Sequence, residues 1–232
     1  MRYHFYGEIW NRSASSLGFS MTRILLADDH AVVRRGVRAL LEAHRGFEVC
    51  GEASNGREAV EMAAEQQPDV VVLDISLPVL NGVDATRQIH KCAPGSEVLI
   101  FTMHDSEEVI REALHVGARG CLLKSEADQQ IVPAVEALSR HRPFLSTQIA
   151  DLLFDSIAGQ REIGATHSPL TPREREIVQL VAEGYSNKKI AKITGISVKT
   201  VETHRAVSMR KLKIHSTAEL VRYAVRSKLI QA

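Results

Sequence analysis

Five polar residues between positions 28 and 124 close apolar runs, where side chains could converge on a reaction. Asp28 and Asp29 follow the run 24–27, Asp74 follows 70–73, Thr102 closes 98–101, and Lys124 closes 120–123. Carboxylates ordinarily titrate near about pH 4, so three gathered in one place repel unless a cation offsets them. An all-oxygen site open to water suits Mg2+, which prefers octahedral oxygen ligands and keeps several waters. With such a cation bound, Asp74 could act as a carboxylate nucleophile toward a phosphoryl group. The cation and Lys124 would balance the charge on the phosphoryl oxygens, and Thr102 could donate its hydroxyl to the acyl phosphate. Taken singly, Asp28 or Asp29 reads as a helix cap, Thr102 as a strand end and Lys124 as a solvated lysine. Their placement on successive strand ends is what points to chemistry.

The elements that must hold these residues are legible in the hydrophobic spacing. Runs 24–27, 70–73 and 98–101 are continuously apolar, as expected of parallel strands buried on both faces, and 47–53 and 120–123 read as two more. Helical spacing lies between and after them, at Val33, Val37, Leu40 and Leu41, at Ala59, Met62 and Ala63, at Val109, Ile110, Ala113 and Leu114, and at Ile131, Val135 and Leu138. This βα alternation predicts an α/β doubly wound, five-stranded parallel sheet with right-handed crossovers. In such a sheet functional groups collect outside the carboxyl ends of the strands.

The last third has another texture. From Thr171 onward there are thirteen Lys and Arg against five acids, while the rest of the chain holds sixteen against twenty-three. A basic unit beside an acidic one implies different partners, and for the basic unit a polyanion. Capping chemistry marks its helices: Thr171-Pro172-Arg173-Glu174 and Ser216-Thr217-Ala218-Glu219 are capping boxes, and Ser186 and Ser197 can cap two helices between them. Four helices are expected, near 171–183, 186–194, 197–212 and 216–228. Gly195-Ile196 fits the tight turn of a helix-turn-helix. Ile190, Ile193, Val201, Ile177, Leu180 and Val181 would pack inward, leaving Lys199, Thr200, Glu202, Thr203, Arg205 and Ala206 facing outward as a surface for double-stranded DNA. Between the units, Pro143, Gly159, Gly164 and Pro169 mark a linker with a short helix around 149–157.

At this level of detail two resemblances stand out. Ile24-Leu25-Leu26-Ala27-Asp28-Asp29-His30, Val72-Leu73-Asp74-Ile75-Ser76-Leu77-Pro78, Phe101-Thr102 and Leu122-Leu123-Lys124 resemble the receiver domain of two-component response regulators. Lys188-Lys189-Ile190-Ala191 and Val198-Lys199-Thr200-Val201-Glu202-Thr203-His204-Arg205 resemble the LuxR-type helix-turn-helix, and the pair together resembles the NarL/FixJ class. The resemblance implies a flavodoxin-like receiver of strand order 2-1-3-4-5 followed by an all-α four-helix domain. It implies phosphorylation of Asp74 by a sensor histidine kinase, Mg2+ held by Asp29, Asp74 and the backbone carbonyl of Ser76 with Asp28 acting through water, and slow self-catalysed loss of the phosphate. By position in the motif, Glu202, Thr203 and Ala206 approach base edges, and Lys199, Thr200 and Arg205 meet phosphates. The expected state on DNA is a homodimer, joined through a final helix carrying Leu220, Val221, Ala224 and Val225, with RNA polymerase as a further partner.

This reading divides the chain into a disordered extension at 1–20 ahead of a natural start at Met21, a receiver at 21–141, a linker at 142–168 and a DNA-binding domain at 169–232. Two residues depart from the receiver pattern: Cys121 stands where an aromatic ring is usual, and Ser125 follows the lysine where proline is common. The helix-turn-helix also has Val207 and Ser208 where asparagine and isoleucine are more usual, so an inward serine would need to bond back to its helix. Other classes fit less well. Enzymes that hydrolyse through a phosphoaspartate place a second aspartate two residues on, where this chain has Ser76, and no glycine loop with lysine and serine cradles a nucleotide. Three widely spaced cysteines suit neither a disulfide framework nor a zinc site. With no apolar run long enough to span a bilayer and no secretory signal, the expected location is the cytoplasm.

Overall fold

A computed structural model describes residues 21–103, 106–158 and 168–230. The expectation for residues 1–20 lies outside them, as does part of the expected linker. Six strands, β1 (Thr22–Ala27), β2 (Phe47–Ala53), β3 (Val70–Leu73), β4 (Glu97–Thr102), β5 (Gly120–Leu123) and β6 (Phe144–Leu145), form one sheet. All neighbours pair in parallel, in the order β2-β1-β3-β4-β5-β6.

The strand count corrects the expected five. Phe144 and Leu145 pair with Gly120 and Cys121, so the segment read as the start of a linker covers the open edge of β5. A strand of two residues is too short to show periodicity. What holds it is Phe144 packing on the core and the bonds from the Phe144 and Ser146 amides to the carbonyls of Arg119 and Cys121. Helix α6 (Thr147–Ala158) follows, and its Ile149 is fully buried against the same body.

Period-2 alternation divides the sheet's side chains between two cores. Leu25, Val71, Leu73 and Ile100 face α2 (Gly56–Gln66), α3 (Gly82–Cys92) and α4 (Glu107–His115). Ile24, Leu26, Val70, Val72 and Leu99 face α1 (Ala31–Glu42) and α5 (Ala127–Ser139). Residues buried on both faces explain the continuously apolar runs. The apolar spacing does not mark α3, because part of its buried face is polar: Asp84 and Thr86 are 2% and 0% exposed.

The C-terminal unit comprises α7 (Pro172–Ala182), α8 (Asn187–Thr194), α9 (Val198–Leu212) and α10 (Thr217–Arg226). Each starts where its cap was read. Thr171 forms a reciprocal capping box with Glu174, and Ser186, Ser197 and Ser216 accept from the amides of Lys189, Thr200 and Glu219. Gly195 ends α8 at φ 68°, a left-handed conformation that favours glycine and permits the tight turn into α9. Ile177, Leu180, Ile190, Val201, Leu220 and Ala224 form the core. The assignment of Leu220 and Ala224 to a dimer surface is therefore corrected: they hold α10 onto α7, and Val221 and Val225 are only half-buried beside them. The inward Ser208 is fully buried, and its hydroxyl donates to the His204 carbonyl at 2.8 Å. That bond satisfies the hydroxyl within its own helix.

Candidate functional site

The carboxyl ends of β1, β3, β4 and β5 lie side by side because the strands are parallel and in register. Ala27 pairs with Leu73, Leu73 with Ile100, and Thr102 with Leu123. The residues that follow these ends therefore meet. Lys124 Nζ lies 2.7 Å from Asp74 Oδ2 and 2.6 Å from Asp28 Oδ2, so one ammonium bridges acids that follow different strands. Asp28, Asp74 and Thr102 are buried, at 4%, 2% and 0% exposure. The Ser76 amide donates to Asp74 Oδ1 at 3.3 Å, turning the chain tightly after the acid.

Asp29 is more open. Its carboxylate groups with that of Asp28 and with His30, the ligand atoms of all three lying within 4.8 Å of one another. His30 Nδ1 is 2.8 Å from Asp29 Oδ1, and its amide donates to Asp28 Oδ1 at 2.8 Å. The sequence reading did not single out His30, though its place after two acids could have marked it.

Burial raises the pKa of Asp74, and Lys124 with the Ser76 amide only partly offsets it. Burial alone would lower Lys124, but attraction to Asp74 and Asp28 wins and holds it above its ordinary value. Lys124 is thus a fixed cation between the acids. The residues fit a hard divalent cation, since the carboxylates of Asp28 and Asp29 supply oxygens at one place. Cys121 lies in the core at 1% exposure, and burial pushes its thiol up to about 12, so it is the inert core residue expected of an isolated cysteine.

The second surface is the outer face of α9. Glu202, Thr203, Ala206 and Lys199 are exposed, and Thr200 and Arg205 half-buried. Ser197 Oγ accepts from the Thr200 amide at 3.0 Å, fixing the start of the helix, and Arg205 donates to Thr217 Oγ1 at 2.5 Å, tying α9 to α10. The Lys199 and Glu202 side chains are 87% and 49% exposed and only 3.8 Å apart at their charged ends.

A third feature was not anticipated: α7 is docked on the first unit by its polar face. Glu174, Arg175, Glu176 and Gln179 are buried. Arg175 pairs with Asp84 at 3.1 Å and with Glu112, and Arg57 pairs with Glu176. Gln179 donates to the Leu77 carbonyl at 2.9 Å and accepts from the amide and side chain of Asn81 at 2.8 and 3.2 Å. The Glu183 carboxylate accepts from the Val79 amide at 3.0 and 3.1 Å. On sequence these residues are the polar side of an amphipathic helix, which without a partner in view reads as a solvated face.

An acid-and-lysine site at the carboxyl edge of a parallel sheet, joined to a helix-turn-helix with an exposed basic helix, defines a receiver-type regulator of DNA. The chain matches the response regulator receiver domain over residues 24–136 and the bacterial regulatory proteins, luxR family, over 168–224. It is 38% identical over 216 residues to the oxygen regulatory protein NreC of Staphylococcus epidermidis, covering 90% of this chain and 99% of that one. It is also 38% identical over 203 residues to the transcriptional regulatory protein MctR of Rhizobium johnstonii, covering 88% and 92%. Among solved structures it is similar to RcsB of Salmonella enterica bound to the rprA promoter with the phosphomimetic BeF3−, at 25% identity and a TM-score of 0.58, covering 87% and 97%. The chain belongs to the two-component response regulators of the NarL/FixJ class, with a receiver and a LuxR-type DNA-binding domain.

Proposed function

We propose that Asp74 is the phosphoryl acceptor and that its modification controls promoter binding by α9. The observation that carries this reading is the Lys124 ammonium held between Asp28 and Asp74 at 2.6 and 2.7 Å. An Asp74 oxygen attacks the phosphorus of a phosphohistidine on a partner sensor kinase. The new O–P bond forms as the N–P bond breaks, and the electron pair returns to the imidazole nitrogen. Lys124 and the Thr102 hydroxyl balance and hold the oxygens of the product. Asp29, Asp74 and the Ser76 carbonyl would hold Mg2+, with Asp28 acting through water, and the cation would supply further charge compensation. Later attack by water returns Asp74 and inorganic phosphate, so the receiver catalyses its own loading and slow unloading and no metabolic turnover.

In this reading residues 21–141 form the receiver, β6 and α6 extend its body, the remainder up to 168 connects it, and 169–232 read DNA as one half of a homodimer that works with RNA polymerase in the cytoplasm. Glu202, Thr203 and Ala206 meet base edges, and Lys199, Thr200 and Arg205 meet phosphates. A carboxylate at 202 favours the cytosine amino group and avoids phosphate.

Asp74→Asn tests the acceptor. Incubated with acetyl phosphate and Mg2+, the wild type gains one phosphoryl group by mass spectrometry and the variant none. Equal labelling of both proteins overturns the assignment of Asp74.

A further inference from the structure

The loop between β3 and α3 begins at the acceptor and ends in the grip of the DNA-binding domain. Little slack lies between. The Gly82 amide donates to the Ile75 carbonyl at 2.8 Å, and the Pro78 carbonyl accepts from the Leu80 and Gly56 amides at 2.7 and 3.2 Å. A Cβ on Gly82 would stand 2.1 Å from the Asp74 carbonyl oxygen, and one on Gly56 would stand 1.8 Å from that of Leu80. The loop is packed against its surroundings backbone to backbone.

At its far side the loop is held by α7. Gln179 is fully buried and makes four side-chain bonds, donating to the Leu77 carbonyl and to Glu183 Oε1 and accepting from the Asn81 amide and Asn81 Nδ2. Between those two gripped residues, Val79 sits at φ 68°, a left-handed conformation that a β-branched residue rarely adopts. Its amide donates to Glu183, and its side chain packs on the core of the DNA-binding domain. Docking thus holds the loop in a conformation that its own residues disfavour. Cys121, which stands where receivers usually carry an aromatic ring, is buried in the core.

We propose that Gln179 is a positioning residue for the phosphoryl site, acting on Asp74 through residues 77–81. The inference rests on Asp74 being the acceptor. A phosphoryl group on Asp74 brings acceptor oxygens beside the Ser76 amide, which now serves Asp74 Oδ1. Re-aiming that amide turns the planar Ile75–Ser76 peptide, whose carbonyl accepts from the Gly82 amide beside Asn81, and so strains the Gln179 bonds to Asn81. Coupling of this kind is reciprocal: if modification of Asp74 weakens the grip, weakening the grip makes Asp74 a better host.

The test is the affinity of the full chain for beryllofluoride with Mg2+, a phosphoryl stand-in, measured by calorimetry, with amide hydrogen exchange followed at residues 77–81. Gln179→Met keeps volume and removes all four bonds. It is expected to bind beryllofluoride about five- to tenfold more tightly than the wild type, within the usual range of coupling between sites. Without beryllofluoride, its Val79 and Asn81 amides exchange as fast as those of loaded wild type. Glu183→Gln, at a half-buried helix end, shifts both readouts the same way by less, and it decides the matter if Gln179→Met does not fold. Equal affinities in wild type and variants overturn the coupling and leave Asp74 as acceptor. A wild type that does not bind beryllofluoride overturns both.

Discussion

Helices α7 and α9 belong to one small domain, and both carry charged outer faces, yet the two faces have opposite fates. On α7, Arg175, Glu176 and Gln179 are buried, each with a named partner in the receiver. On α9, Lys199 and Glu202 are exposed, with only a loose contact of 3.8 Å between them. A polar helix face matched within the chain is a docking surface, and one left unmatched awaits an external partner. The docked receiver grips the first helix and leaves the α9 side chains uncovered.

The sharpest way to break the comparison is to remove the partner from the matched face. Asp84 is 2% exposed and rests on Arg175. Deleting one member of a buried ion pair strands the other, at a cost of about 3–5 kcal/mol. Arg175→Met should therefore cost about 3 kcal/mol of docking, or the whole docking free energy if that is smaller. Scattering profiles should then show an extended two-body particle in place of the docked one, while the α7 to α10 core, where Arg175 plays no part, keeps its own unfolding transition. A variant as compact as the wild type would mean that the hydrogen bonds of Gln179 and Glu183 suffice alone.

Changes on the unmatched face should leave docking untouched and move only DNA binding. Lys199→Ala should weaken binding to all sequences alike and flatten the dependence of log affinity on log salt by about one. Glu202→Gln should cost about 1–3 kcal/mol on the preferred site and relax preference at one base pair. Binding assays over a salt series, on the preferred site and on scrambled DNA, separate the two. A loss for Glu202→Gln that is equal on both DNAs would remove it from base reading.

The contrast also explains what could be read from sequence. The caps of all four C-terminal helices were legible because Thr171, Ser186, Ser197 and Ser216 act on amides only three residues away. The buried strands were legible because one strand's neighbours bury both of its faces. The grouping of Asp28, Asp74 and Lys124 was legible because a parallel sheet brings its carboxyl ends together regardless of how far apart they lie in the chain. Docking was not. Arg57 and Glu176 are 119 residues apart, and no local spacing distinguishes a buried charge with a distant partner from a solvated one. The same holds for α3, whose Asp84 and Thr86 look like surface residues until α7 and α4 are in place. β6 escaped notice for another reason, since its two residues are defined by the edge they cover.

The gentlest probe of the matched face is acidity. Burial raises the pKa of Glu183, only partly offset by the Gln179 and Val79 bonds, and raises that of Asp84, only partly offset by Arg175 and Asn81. Undocking returns both carboxyls to water and to ordinary values near 4.5 and 3.8. The docked form then holds its protons to higher pH than the open form. Linkage sets the sign: docking is strongest below the ordinary values and weakens as pH rises through the raised ones. Exchange of the Val79 and Asn81 amides, corrected for intrinsic rate, should show a larger protection factor at pH 5 than at pH 7, and Glu183→Gln should reduce that difference. The opposite slope would mean that the Val79 and Arg175 interactions outweigh burial, and that the matched face is held by ionised groups throughout.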